Sequence, residues 1–408
     1  MKADLPRFDC ETSRQISKAI PDAPKDPARN AAFRDAINAR AEKHRDFAMA
    51  CLYKATLGAD GFVWWSDAFS RTLDPRIRGG SSNIPLIAFP KQERFMRFII
   101  SKIRAGRPWG SRKSRGFGLT WGVADVFDHM WLFDDDGPHL LCASREEAAV
   151  DSSKNPDAIM KKMDYHIDGL PDWQKEILIP GYEPRQGTKY RNFKAAKNPL
   201  TGATIIGEST KARLAAGGRK TAGFIDEAAA IQFLIEIIAS VSEVTDSMGY
   251  ISTDLGLSTD FASLWKNPDQ PIEFFENGCD WPSNPMWLGY WAEQLTAEPI
   301  NIKLDPDKIE NKIWIPGETY ECKAGECPVH DHGGKPHSAR YNAACKKLNY
   351  DKQRVAQEYD MEAAQAGGSV FDVVKVQNAL DKLKETINSG GRLWNSYEFV
   401  LIVPPDAK

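Results

Sequence analysis

The first 58 residues are mostly polar, with Phe33, Ile37, Phe47 and Leu52 loosely at helical spacing among alanine, arginine, lysine and glutamate. That pattern predicts a helical arm, clearest over 27–57, with packing or partner binding as its role. From residue 59 the chain turns aromatic, with Phe62, Trp64, Trp65 and Phe69, then a Gly79-Gly80-Ser81-Ser82 turn and the run Ile84 to Gln92. Phe95, Phe98, Ile99 and Ile103 then mark one side of a helix, and Val123, Val126, Phe127, Met130 and Trp131 the stripe of a second. Beyond these come short apolar runs of the kind buried parallel strands use: Leu140 to Ala143, Ala203 to Gly207, Ala222 to Asp226 and Gly249 to Thr253. The polar stretch 151–200 predicts helix and loop over the sheet. Between 260 and 350 the rhythm is lost, and Trp265, Trp281, Trp287, Trp291 and Trp314 gather among prolines. Residues 351–372 return to a helical pattern, and Tyr397 to Val403 reads as a last strand. The whole predicts an α/β fold with a mainly parallel sheet between helical layers.

Between the two helices near residue 110 lies Arg112-Lys113-Ser114-Arg115-Gly116-Phe117-Gly118-Leu119-Thr120-Trp121. It has the form of a phosphate-binding loop: Gly116 and Gly118 let amides face an anion, Thr120 offers a hydroxyl for Mg²⁺, and an apolar helix follows. The usual pattern puts lysine directly before the hydroxyl residue, where this chain has Leu119. Lys113, at the start of the loop, is the substitute. Two further features frame the loop. The aromatic cluster followed by Pro90-Lys91-Gln92 suits a base-binding edge, because the Gln92 amide can donate to and accept from adenine at once. The stretch Gly106 to Ser111 is a poor strand, so the strand that presents the loop must be short or unusual.

Composition narrows the class. At 408 residues, with 42% hydrophobic and 27% charged, the chain reads as a soluble globular protein of two or three domains. No apolar run approaches the roughly 20 residues of a membrane span, and the first residues lack the apolar core of a signal peptide. Seven cysteines in this length suggest a reducing, cytosolic setting rather than a disulfide scaffold. The net charge is −3, yet Lys102, Arg104, Arg107, Arg112, Lys113 and Arg115 fall within 102–116 with no acid among them.

The acidic counterpart of the loop is Phe224-Ile225-Asp226-Glu227, an apolar run ending in two carboxylates at a strand's C-terminal edge, where open α/β sheets hold ligands. Asp226 would hold Mg²⁺ with Thr120, and Glu227 would orient and deprotonate a water. The plainer alternative is that both acids cap the helix beginning at Ala228.

Lys113 to Trp121 resembles the deviant phosphate loop of large terminase subunits, the DNA-packaging motors of tailed bacteriophages, in many of which the essential lysine lies at the loop's start. Residues 69–92 are similar to that family's adenine-side motif, and Leu141 to Ala148 to the strand and helix after the loop helix. Phe224 to Glu227 resembles its second acidic motif, Ile251-Ser252-Thr253-Asp254 the coupling motif, and Gln357 to Phe371 the hinge segment. The resemblance implies a P-loop NTPase three-layer sandwich over 59–275, preceded by the helical arm at 1–58. A linker or lid subdomain at 276–372 and the start of a nuclease domain at 373–408 would follow. It implies an ATP-hydrolysing motor that moves double-stranded DNA into a procapsid. Partners would be a portal protein, a small terminase subunit and identical copies in a ring, in the host cytoplasm and without membrane. ATP would meet Gln92, Lys113, Ser114, Arg115, Gly116, Gly118, Leu119, Thr120, Ser252 and Thr253; Mg²⁺ would meet Thr120 and Asp226; Glu227, Lys113 and Arg115 would be catalytic. Arg213 and Arg219 are candidates to act in trans, with contact to DNA or a structural role the equal alternative. The family's RNase H-like nuclease domain is largely missing, with Asp406 its first candidate acid, so no metal-dependent DNA cleavage is expected. Two other classes stay open: a degenerate nucleotide-binding DNA or capsid assembly protein, and a helicase-like DNA-dependent ATPase.

Cys322, Cys327, His330, His332 and His337, with Cys345 beyond, form a separate cluster. Its Cys-x₄-Cys-x₂-His-x-His spacing could supply tetrahedral zinc ligands, with Cys322, Cys327, His330 and His337 the preferred four. The spacing is not that of a standard finger, and a plain surface loop is the alternative.

Overall fold

The computed structural model describes residues 7–73, 83–183, 187–210, 214, 218–257, 259–266, 272–275, 290–293, 312–315, 319–330 and 333–361. The arm is three helices, α1 (Glu11–Ser17), α2 (Pro27–Lys43) and α3 (Arg45–Ala55), and α4 (Gly58–Phe69) follows it. Local chemistry sets α2: Asp26 caps it by accepting from the Arg29 N–H, and Pro27 occupies the first turn, where no backbone donor is needed. A small ribbon, β1 (Arg71–Leu73) with β2 (Asn83–Pro85), leads to α5 (Pro90–Arg104) and β3 (Trp109–Arg112). Then follow α6 (Leu119–Phe133), β4 (His139–Ser144), α7 (Glu147–Val150), α8 (Ile159–Asp168), α9 (Asp172–Leu178), β5 (Arg191–Asn192), β6 (Ala195–Lys197) and β7 (Thr204–Ser209). After them come β8 (Ala222–Asp226), a 3₁₀ turn at Ala228–Ala230, α10 (Leu234–Ser242), β9 (Met248–Ser252), α11 (Asp260–Lys266) and β10 (Glu273–Phe275).

These strands make one eight-stranded sheet in the order β10-β3-β9-β8-β4-β7-β6-β5. The pairs from β10 to β7 are parallel and the last two antiparallel. Side-chain alternation divides the strands between two cores. Leu140, Cys142, Phe224 and Ile251 pack on the side of α4 and α6, whereas Leu141, Ala143, Ile225 and Tyr250 pack on the side of α10 and α11. The sheet thus lies between two helical layers, and near-continuous apolar runs are what burial on both faces requires. The first core runs without a break from Phe8 in the arm to Ile251 in β9.

The aromatic cluster proves to be core. Phe62, Trp64, Trp65 and Phe69 are all buried in α4, and Trp65 meets His129 and Phe133 edge-on at 5.3 and 5.7 Å. They cannot flank a base, which corrects the expectation of a base-binding edge there. Four hydrophobic rings on one short helix are more economically explained by interior packing. The poor strand, in contrast, is real: β3 is four residues long and sits between β9 and β10. Its glycine and tryptophan fit into partners remote in sequence. The Phe274 ring lies where a Cβ on Gly110 would come within 2.5 Å, and the Trp109 indole lies where one on Gly249 would come within 2.1 Å.

Beyond the sheet, β11 (Tyr290–Glu293) pairs with β12 (Lys312–Ile315), and β13 (Thr319–Glu321) with β14 (Pro336–Ser338). Helix α12 (Ala339–Lys347), helix α13 (Lys352–Val355) and a π-turn at Ala356–Asp360 complete the described chain. The hinge from residue 362 onward, Asp406, Tyr397 to Val403, Trp281 and Trp287 lie outside the described residues.

Candidate nucleotide site

The parallel registers bring the C-terminal ends of three strands to one edge: Arg112 stands opposite Ser252, and Asp226 opposite Ile251. The basic loop leaves β3 there. Gly116 and Gly118 both have φ of +78°, the left-handed region that glycine enters without a Cβ clash. Gly118 is the N-cap of α6, so the positive end of that helix opens toward the loop. Leu119 is buried in the core, which explains why no charge sits at that position: its side chain points into the protein.

Lys113 is the cation at the start of the loop. Its Nζ lies 3.1 Å from Asp226 Oδ1 and 3.4 Å from Thr120 Oγ1, while the Thr120 hydroxyl donates to Asp226 Oδ2 at 2.7 Å. Three elements, the end of β3, the first turn of α6 and the end of β8, thus meet through three side chains. Burial by itself would raise the Asp226 carboxyl. The Lys113 ammonium and the Thr120 hydroxyl outweigh it and hold the group below the ordinary carboxylate value. Glu227, next in chain, has φ of +57° and ψ of +35°, unusual for a residue with a side chain. It is half exposed and faces Arg145 at 3.2 Å. The acids do not start an α-helix; a 3₁₀ turn follows.

A cavity of about 510 Å³ opens over this edge, lined by Lys113, Arg115, Gly116, Thr120, Glu227 and Ser252 among others, within the usual size of ligand pockets of about 300–1,000 Å³. Phe117, Gly118, Leu119 and Thr253 also reach it. Ser252 is further tied to the loop, since its carbonyl accepts from the Lys113 N–H at 2.9 Å. Two cations not singled out in the sequence complete the lining. Arg145 follows β4, and Lys162 comes from α8, lying 5.7 Å over the Trp121 ring. Burial lowers the Lys162 pKa. Both were invisible because the fold, not chain proximity, brings them to the loop.

Three expected site residues have other engagements. Gln92 does not line the cavity. Its oxygen accepts from the Phe89 N–H at 2.9 Å and its amide donates to the Phe117 carbonyl at 2.5 Å, so it caps α5 and braces the loop from behind. Ser114 turns inward, its hydroxyl buried without a hydrogen-bond partner. Arg115 lines the cavity but is paired to Glu358 at 2.8 Å, and its backbone N–H donates to the Glu358 carbonyl at 2.6 Å. Arg112 likewise reaches the same segment: it donates to the Met361 carbonyl at 2.7 Å, pairs with Asp254 at 3.1 Å and lies 3.9 Å over the Trp265 ring. Arg219 is exposed and precedes β8, at the opposite end of that strand from Asp226; Arg213 lies outside the described residues. Cys322, Cys327, His330 and His337 come together away from the cavity, their ligand atoms within 4.8 Å of one another; His332 is outside the described residues. No helix among the described residues is long and apolar enough to cross a membrane.

No protein-family model matches the chain, and no curated protein matches it. Among solved structures, the chain is similar to the crystal structure of the HK97 bacteriophage large terminase. The identity is 14%, the TM-score 0.39, and the match covers 56% of this chain and 46% of that one. The chain thus spans under half the length of that neighbour.

Proposed function

We propose that this chain is a Mg²⁺-dependent ATPase that drives translocation of double-stranded DNA, a packaging motor of the large terminase kind. The observation that carries the ATPase reading is the meeting of Lys113, Thr120 and Asp226 at the N-terminus of α6, with Glu227 adjoining. The DNA-packaging reading is supported by the order of motifs along the sequence. Lys113 would contact the terminal phosphates, and the amide N–H groups at Gly116 to Thr120 would donate to phosphate oxygens at the positive end of α6. Thr120 and Asp226 would hold Mg²⁺, which supplies charge neutralisation at the phosphates. Glu227 would take the proton of the attacking water; it first has to leave Arg145, whose guanidinium, also 3.6 Å from Glu146, would turn to phosphate oxygens instead. Arg115 would join once released from Glu358. DNA contacts would be to phosphates, hence salt-sensitive and indifferent to sequence.

The test is ATP turnover by the wild type against Glu227→Ala, with and without double-stranded DNA. The proposal requires the variant to lose most turnover while still binding nucleotide. Wild-type hydrolysis no faster than that of Glu227→Ala sinks it, and turnover with no ATP-driven movement along duplex DNA sinks the motor part.

A further inference from the structure

Beyond the nucleotide site, we infer that Cys322, Cys327, His330 and His337 form a closed structural zinc site whose outer contacts fix the segment lying on the phosphate loop. The distances among the four ligand atoms set the argument. His330 Nδ1 lies 3.6 Å from both Cys322 Sγ and Cys327 Sγ, and His337 Nε2 lies 3.4 Å from Cys327 Sγ and 3.2 Å from His330 Nδ1. A tetrahedral ion with Zn–S of about 2.3 Å and Zn–N of about 2.05 Å requires N–S edges of about 3.6 Å and an N–N edge of about 3.3 Å. Four of the six edges are within about 0.2 Å of that geometry, and all four atoms lie within 4.8 Å of one another.

The outer hydrogen bonds decide which nitrogens point inward. His330 turns its Nε2 to Asp360 Oδ2 at 3.0 Å, and His337 turns its Nδ1 to Asn342 Oδ1 at 2.6 Å. Both partners are acceptors, Asn342 being oriented by its donation to the Tyr320 hydroxyl at 2.8 Å, so each imidazole spends its N–H outward. The inward nitrogens are then bare lone pairs 3.2 Å apart, facing two sulfurs. Without a cation only thiol protons can bridge the two nitrogens and two sulfurs; a divalent ion between them is met by all four atoms. The backbone is shaped for sulfur as well, since the His330 N–H donates to Cys327 Sγ at 3.3 Å. A Cβ on Gly333 would come within 2.6 Å of the Ala324 nitrogen, so the loop joining β13 to β14 closes tightly.

Packing gives the ion a task. Among the described residues the hydrophobic cluster here has five buried members, Val329, Tyr341, Cys345, Val355 and Tyr359, and an ion would staple it. The site is also wired to the nucleotide cavity. Asp360, which orients His330 and accepts from the Tyr341 hydroxyl at 2.7 Å, belongs to the same π-turn as Glu358. Glu358 in turn meets Arg115 through backbone and side chain, and Met361 meets Arg112. A zinc ion would therefore hold the turn that rests on the loop.

The test is metal content of the full chain purified without chelator. We expect about one zinc per chain, displaced by a thiol-reactive mercurial, lost in Cys327→Ser and in His337→Ala, and kept in Cys345→Ser. Exchange of the wild type with Co²⁺ should give the ligand-field and thiolate charge-transfer bands of a tetrahedral S₂N₂ site, a readout that needs no variant to fold. Asp360→Asn should weaken zinc binding about 10–100-fold in a buffered-zinc titration. Wild type holding less than about a tenth of an ion per chain, another metal at full occupancy, octahedral cobalt spectra, or equal zinc loss in Cys345→Ser would each overturn the assignment. These readouts do not involve nucleotide, so their failure leaves the ATPase proposal standing, and the converse holds too.

Discussion

Lys113 carries the most consequence per atom. It is the cation that keeps the buried Asp226 ionised, and under the proposed function it is also the phosphate ligand. Lys113→Met should lower ATP turnover by about a hundredfold or more, as loss of a preorganised charge stabiliser does. Arg115→Ala, whose guanidinium is engaged by Glu358, should cost much less; equal losses in a steady-state assay would refute this ranking. The same lysine sets a pH signature. Asp226 titrates below its ordinary value in the fold, so its stabilising charge is present above about pH 4 and lost only as the pH falls further. With Lys113 replaced, burial dominates, the folded pKa moves above the unfolded one, and stability falls as the pH rises. The wild-type minus Lys113→Met difference in urea midpoint should grow from about pH 5 to pH 7; a pH-independent difference would contradict the coupling. Lys113 was legible in the sequence because an uncharged Leu119 forces the search upstream. Arg145 and Lys162 were not, since nothing local marks a cation that arrives from another strand or helix. Gln92 was legible as a residue of interest, and its bond to Phe89 is that of an ordinary helix-start glutamine, but its other partner, Phe117, is one that no spacing rule names.

Among the elements, β3 shows where pattern reading runs out. Trp109, Gly110 and Ser111 have poor strand propensity as letters. They make a strand because Gly249 admits the Trp109 indole and Gly110 admits the Phe274 ring. That complementarity spans well over a hundred residues of sequence, beyond any local window. It also makes a prediction: Gly249→Ala overpacks the pairing and should destabilise the protein by about 1–3 kcal/mol or more in denaturant unfolding. A variant as stable as wild type would show that the indole has room to move. The apolar runs of β4, β7, β8 and β9, by contrast, needed only length and bounding turns to be read, and they are found within a residue or two of where the pattern put them. The aromatic helix α4 was readable as hydrophobic but not as interior, because a ring stacked on a base and a ring packed in a core look alike in a sequence.

Across the molecule, the arm and the sheet share one core, and one buried charge cluster ties them. Lys25, ahead of α2, pairs with Asp67 of α4 and, at 2.9 Å, with Glu93 of α5. Removing the lysine would leave the buried Asp67 without its cation, while Glu93 keeps Arg97 at 3.0 Å, so Lys25→Met should cost about 3–5 kcal/mol. Because the core is shared, that loss should appear as one cooperative shift of residues 7–275; a separate early transition of the arm by circular dichroism would argue otherwise. Helices and strands as classes were readable, but the continuity of arm and sheet was not, since a helical stripe shows that a face is buried and not what buries it.

The contact between Arg115 and Glu358 has a further consequence under the proposed function. A loop amide and a loop guanidinium are both already satisfied by the chain's own carbonyl and carboxylate, so the π-turn acts as a tethered competitor for phosphate. Any anion must displace it, and apparent affinity is reduced by the fraction of time the turn is seated. A ligand offering several phosphate oxygens can meet that threshold where a monoanion cannot. Glu358→Ala weakens the competitor and should tighten nucleotide binding while narrowing the preference for triphosphate over diphosphate. Unchanged affinities for both in a calorimetric titration would show that the turn leaves the loop without cost.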